Sequence, residues 1–213
     1  MTGPHQGQKL VWAGRPVEEA AGAMVMMHGR GATAENILQL WSEFAAPDLA
    51  YVAPQAAGSS WYPNGFLAPM ETNEPGLSSG LARIGEVLAG LEAAGIPPER
   101  TFLLGFSQGA CLSLEFAARH AKRYGGVFGL SGGLIGPPGT PRDYPGSFAG
   151  TPVFLGCSER DPHIPRERVD ETAEVLRRMG AEVTERIYPA ALGHNVNVDE
   201  VEFVKGVITP VLR

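Results

Sequence analysis

Continuous apolar runs alternate along the chain with stretches whose apolar positions recur at helical spacing. Ala23-Met-Val-Met-Met-His28, Leu49 to Ala53, the run after Arg100, Val127 to Ser131 and Pro152 to Cys157 are solidly apolar. That is the pattern of strands covered on both faces. Lys9 to Ala13 reads as an edge strand, and Glu182 to Tyr188 alternates in the manner of another. Between them, Ile37, Leu38, Leu40, Trp41 and Phe44 predict one helix with Thr33 as its N-cap. Leu77, Leu81, Ile84, Leu88 and Leu91 predict a second helix, with Gly95 as the residue just past its end. A helix to about Lys122, one carrying Val169, Ala173, Leu176 and Met179, and a last one opened by Asn197 and Glu200 complete the set. Strand and helix in alternation predict a single α/β domain, 1–213. Its sheet should be mostly parallel and doubly wound, of about seven strands, with helices on both faces and no separate cap domain.

One junction carries chemistry. The strand after Arg100 runs into Gly105-Phe106-Ser107-Gln108-Gly109, and an apolar helix follows at once. Glycines two residues to either side of Ser107 let strand and helix approach closely around a strained serine backbone. The turn lifts the hydroxyl clear of the sheet and sets it at a helix N-terminus, whose field favours a developing anion.

In a doubly wound sheet, sites collect at the carboxyl ends of the strands. Ser107, Asp161 and His194 each follow a predicted strand, in the order expected of α/β-hydrolases. A serine hydroxyl is a weak nucleophile. It needs a neutral imidazole to take its proton and a carboxylate to fix the imidazole tautomer. Rivals to His194 are His5 in the terminus, His120 at a helix end, His28 in a glycine loop and His163 beside Asp161; of these His163 is the serious competitor. Asp143, Asp170 and Asp199 read as solvated or capping carboxylates. Oxyanion stabilisation requires preorganised N–H donors, expected from the backbone of Gln108 and of the His28-Gly29-Arg30-Gly31 loop at Arg30. The Arg30 side chain is expected to brace that loop through a salt bridge.

Composition narrows the class. Seventeen Lys and Arg against 23 Asp and Glu give a net charge of −6, and no basic run suggests nucleic acid or an anionic membrane. No segment reads as a secretory signal or a membrane span, and Cys111 and Cys157 read as reduced core residues, so a cytoplasmic location is expected. There is no H-E-x-x-H and no ligand spacing among the histidines, so no metal is expected. Residues 1–8 read as a mobile terminus.

Met27-His28-Gly29-Arg30-Gly31-Ala32, Gly105-Phe106-Ser107-Gln108-Gly109-Ala110, Asp161-Pro162-His163-Ile164-Pro165 and Gly193-His194 together resemble the carboxylesterase/phospholipase family of α/β-hydrolases, which includes acyl-protein thioesterases. The resemblance runs from about Ala23 to the last helix and implies the α/β-hydrolase fold, a Ser107–Asp161–His194 triad, no cofactor, and ester or thioester substrates. Arg30 stands where thioesterase-type members tend to have an apolar residue, which points away from a protein thioester or a phospholipid. The expectation is a serine carboxylesterase acting on a small-molecule ester, with a homodimer as its candidate assembly. Thioesterase, lysophospholipase and non-catalytic ligand receptor are the alternatives. Two irregular stretches, 54–76 and 132–150, should overhang the site and supply an apolar pocket from Trp61, Tyr62, Phe66, Met70, Leu134 and Ile135.

Overall fold

The computed structural model describes residues 3–211. Seven strands form one sheet: β1 (Leu10–Gly14), β2 (Gly22–Met27), β3 (Leu49–Pro54), β4 (Thr101–Phe106), β5 (Gly126–Leu130), β6 (Pro152–Ser158) and β7 (Glu182–Tyr188). Their order is β1-β3-β2-β4-β5-β6-β7. Only β1 runs antiparallel, on β3 at one edge; every other pair is parallel. The solidly apolar runs became the central strands because both faces of the sheet are covered. β2 and β3 are buried at every position.

Among the described residues, six α-helices do the covering: α1 (Ala34–Leu38), α2 (Trp41–Phe44), α3 (Gly76–Ala93), α4 (Gln108–Arg119), α5 (Arg166–Arg178) and α6 (Val198–Val211). On one face, α3, α4 and α5 pack Leu81, Ile84, Leu112, Phe116, Val169 and Leu176 against Val25, Leu103 and Leu155. On the other, α1, α2 and α6 pack Ile37, Phe44, Val204 and Ile208 against Met24, Leu104 and Phe154. Each fully buried side chain of this size contributes about 1.5–3 kcal/mol. Strand alternation sends neighbouring residues of one strand to opposite faces, so the two cores share the same strands. Among the described residues no helix is long and apolar enough to cross a membrane.

Three expectations are corrected. The single helix predicted after Thr33 is two. Thr33 caps α1 as expected, its hydroxyl accepting from the Asn36 amide. The amides of Gln39 and Leu40 then bond to Asn36 and Ile37, three residues back, a tightening that turns Trp41 partly outward. The helix predicted to about Lys122 ends at Arg119. The third correction concerns the terminus, of which Met1 and Thr2 lie outside the described residues. His5 is buried. The Ala57 amide donates to its Nδ1 at 3.1 Å, so Nε2 carries the proton and donates to the Trp61 carbonyl at 2.9 Å. The segment thereby joins the packing of the 54–76 loop.

Asn197 and Glu200 form the expected reciprocal cap on α6: the Glu200 amide donates to Asn197 Oδ1, and the Asn197 amide to Glu200 Oε2. Glu200 is almost wholly buried, and its other carboxylate oxygen occupies the space a Cβ on Gly156 would need. Burial pushes its carboxyl up to about 7, against the pull of the Asn197 amide. A raised acid favours the folded state below its unfolded pKa of 4.5, and that advantage is lost as pH rises through about 7. Glu200→Gln keeps an acceptor for the cap and removes the buried charge. Its Tm relative to the parent should therefore climb between pH 5 and pH 8, towards a gain of up to about 3 kcal/mol. A difference that stays flat with pH in thermal melts contradicts this account.

Candidate active site

At the carboxyl end of β4 the backbone reverses through Ser107 at φ 56°, ψ −121°, and α4 begins at the next residue. A serine with positive φ costs about 1–3 kcal/mol and persists only where its surroundings over-determine it. Here they do. A Cβ on Gly105 would stand 2.3 Å from the Gly109 carbonyl oxygen, and one on Gly109 would stand 2.1 Å from that of Met27. Strand β4, helix α4 and strand β2 are thus packed backbone to backbone. The Ser107 amide donates to the Leu130 carbonyl at 2.9 Å, and its carbonyl accepts the Cys111 amide at 3.0 Å.

Asp161 follows β6 and is held from several sides. Its Oδ1 accepts the amides of His163 at 2.8 Å and Ile164 at 3.0 Å. Its Oδ2 lies 2.7 Å from His194 Nδ1. Burial pushes this carboxyl up, but the His194 bond and the two amides outweigh it and hold the group below the usual carboxylate range. His194 follows β7 and the turn Ala190–Leu192, and is presented by Gly193 at φ 58°, ψ −146°, a conformation open essentially to glycine. Because Asp161 is ionised, it accepts from Nδ1–H. In neutral His194 that leaves Nε2 bare, 2.8 Å from the Ser107 hydroxyl. The Phe106 and His163 rings flank the imidazole at centroid distances of 4.9 and 4.8 Å.

The rival histidines fall elsewhere. His28 is a bracket: its Nε2 accepts the Ala56 amide at 3.1 Å, so Nδ1 donates to the Gly29 carbonyl at 2.8 Å. His120 packs on Phe116 in a separate groove between α3 and α4. His163 lines the same cavity as Ser107 but makes no hydrogen bond to it among the described residues. Asp170 pairs with Arg166, Asp199 accepts from Arg186 and Tyr188, and Asp143 lies in an outer groove.

Ser107 and His194 open onto a cavity of about 380 Å³. Tyr62 and Phe66 line it, joined by Phe106, Cys111, His163 and Ile164. The other pocket candidates do not. Trp61 is core, its indole N–H donating to the His28 carbonyl at 2.9 Å. Leu134 and Ile135 are fully buried because their loop is tied down by ions: the Ile135 amide donates to Glu115, and Arg168 Nη1 donates to the carbonyls of Leu134 and Gly136. Met70 lines an outer groove with Glu115, Arg119 and Tyr144. Burial pushes the Cys111 thiol up to about 12, so it lines the cavity as a neutral group. Both cysteines are free, and among the described residues no cluster of three or more His, Cys, Asp or Glu has the arrangement of a metal site.

The backbone N–H groups of Arg30 and Gln108 have no protein acceptor among the described residues, and both residues line the cavity. The expected salt bridge of Arg30 is replaced by bonds to neutral oxygens: Nη1 donates to Ser60 Oγ and the Pro63 carbonyl, and Nη2 to the Asn64 carbonyl.

A profile of the Phospholipase/Carboxylesterase family matches residues 14–212. The chain belongs to that family. A crystal structure of a phospholipase/carboxylesterase from Dyadobacter fermentans DSM 18053 superposes with a TM-score of 0.91 at 43% identity, covering 95% of this chain and 97% of that one. The fold is accordingly the α/β-hydrolase fold. A probable carboxylesterase of Oryza sativa subsp. japonica is 27% identical over 202 residues, 86% of each chain. Acyl-protein thioesterase 1 of Gibberella zeae is 35% identical over 117 residues, 53% of this chain. The match spans 48% of that protein's length, about half.

One role escaped the sequence reading. The Gln108 side chain is buried, with Oε1 accepting the Trp61 amide at 2.9 Å and Nε2 donating to the Tyr62 carbonyl at 2.8 Å. It staples the 54–76 loop to the start of α4. Gln108→Ala leaves the buried Trp61 amide without a partner, at about 1–3 kcal/mol, and removes one of the two donors to the Tyr62 carbonyl, which keeps the Ser60 hydroxyl at 2.9 Å. The expected outcome is a lower Tm together with faster hydrogen exchange across residues 56–66. Unchanged exchange there would show that the staple is not what holds the loop.

Proposed function

We propose that this chain is a serine hydrolase that cleaves carboxylic esters of short to medium acyl chain through an acyl-enzyme on Ser107. The observation that carries the reading is the unbroken hydrogen-bond chain from Ser107 Oγ through His194 to the buried Asp161, at 2.8 and 2.7 Å. In this reading His194 Nε2 takes the hydroxyl proton as Oγ attacks the ester carbonyl. The resulting imidazolium is stabilised by Asp161 and then gives its proton to the leaving alcohol. Water repeats the sequence on the acyl-enzyme and restores Ser107. The oxyanion is received by the amides of Arg30 and Gln108, which have no protein partner among the described residues to give up; one such donor is worth about 2.7–4 kcal/mol.

The short-chain reading is supported by the cavity, which has room of about 380 Å³ and apolar walls at Tyr62, Phe66, Phe106 and Ile164. Each buried methylene adds about 0.8 kcal/mol until those walls end, so the optimum is placed at roughly C2 to C8. A thioester is the second reading, favoured by the name of the Gibberella zeae relative, and it uses the same residues.

Three variants assayed on 4-nitrophenyl esters from acetate to palmitate test the assignment. Ser107→Ala and His194→Ala should each lose about 10³-fold or more in kcat, since triad members act as a unit. His163→Ala should retain most activity. An active Ser107→Ala, or loss of activity in His163→Ala alone, overturns the assignment. A kcat/KM that climbs steadily through palmitate overturns the short-chain reading.

A further inference from the structure

The Arg30 guanidinium has five N–H donors, and the described residues engage three of them. Both hydrogens of Nη1 are used, on Ser60 Oγ at 3.2 Å and the Pro63 carbonyl at 2.7 Å. Nη2 uses one, on the Asn64 carbonyl. What remains without a protein acceptor among the described residues is the Nε–H and one Nη2–H, two donors of the same planar group. Two parallel N–H groups on one edge of a guanidinium are the fork that takes a carboxylate in bidentate fashion.

Charge around the fork favours an anion as well. Every partner of Arg30 is a neutral oxygen, and no acidic side chain lines the cavity among the described residues. The Asp161 side chain is buried and bonded to His194. Tyr62 lies beside the guanidinium, with its ring centroid 5.9 Å from Cζ. The residue is therefore braced on its loop, without an acidic partner among the described residues, and exposed on the wall of the cavity that holds Ser107.

From this we infer that Arg30 is a specificity residue that binds a carboxylate carried by the ester. The preferred substrates are then short esters bearing a carboxylate on the acyl or the alcohol side. The inference rests on the ester-hydrolase reading of the same cavity. The loop-bracing bonds belong to it, because they hold the open edge in one orientation.

The test compares kcat/KM for matched pairs: monoethyl succinate against ethyl butyrate, with the charge on the acyl side, and 4-acetoxybenzoate against its methyl ester, with the charge on the alcohol side. In the parent, at least one pair should favour the anion by about tenfold at low salt, and that preference should shrink as ionic strength rises. Arg30→Gln should bring the ratio to about one, and Arg30→Lys, which keeps the charge without the fork, should fall between. Using ratios within each variant cancels any general loss from a loosened loop. Ratios at or below one in both pairs of the parent, or a preference that survives in Arg30→Gln, overturn the inference. If no ester turns over at all, the hydrolase reading fails, and the subsite is read on Ser107→Ala by titrating succinate against the Arg30 Nε–H resonance. A saturable shift supports the subsite, and no shift at millimolar succinate overturns it.

Discussion

The backbone contact between β4, α4 and β2 is the constraint from which the site follows. With hydrogen atoms in place of side chains at Gly105 and Gly109, carbonyls and amides pass at distances no Cβ tolerates. That closeness holds Ser107 in its left-handed conformation and projects its hydroxyl beyond the sheet. It also directs the first turn of α4, so that Gln108 lines the cavity while its side chain staples the 54–76 loop. That staple in turn holds Tyr62, whose loop accepts the Arg30 guanidinium. The second amide proposed for the oxyanion is thus linked to the first through one segment of loop.

The two other members of the hydrogen-bond chain are set by the same sheet. β6 and β7 are adjacent and parallel, so the segments leaving their carboxyl ends emerge side by side. Asp161 and His194 meet although 33 residues separate them in sequence. Local bonds then fix each side chain: two amides orient the Asp161 carboxylate, and Gly193 sets the entry angle of His194. The low pKa of Asp161 is the electrostatic outcome, since an ionised carboxylate leaves only one useful tautomer for the imidazole.

The parts legible in the sequence were those where local pattern and tertiary environment agree. Solid apolar runs gave the strands, and glycine spacing around Ser107 gave the turn. The site candidates Ser107, Asp161 and His194 came from order and position at strand ends. What was not legible depended on distant partners. His5 sits in a polar stretch without periodicity, and it is held by backbone groups of residues 57 and 61. Leu134 and Ile135 looked like pocket residues because their loop is apolar, yet Glu115 and Arg168 draw that loop into the core through charged hydrogen bonds. Cys111 was within reach of sequence reasoning. It lies one helical turn beyond Ser107 and so shares its face of α4.

The proposal at the centre of this account is that Ser107 is the nucleophile and that His194 activates it. It is tested most directly by treating the protein with a fluorophosphonate and mapping the adduct by peptide mass spectrometry. The account predicts one phosphonyl group per chain, on Ser107, with labelling slowed by about 10³-fold or more in His194→Ala and absent in Ser107→Ala. Stoichiometric labelling at another residue, or labelling of Ser107 at an undiminished rate without His194, would contradict it.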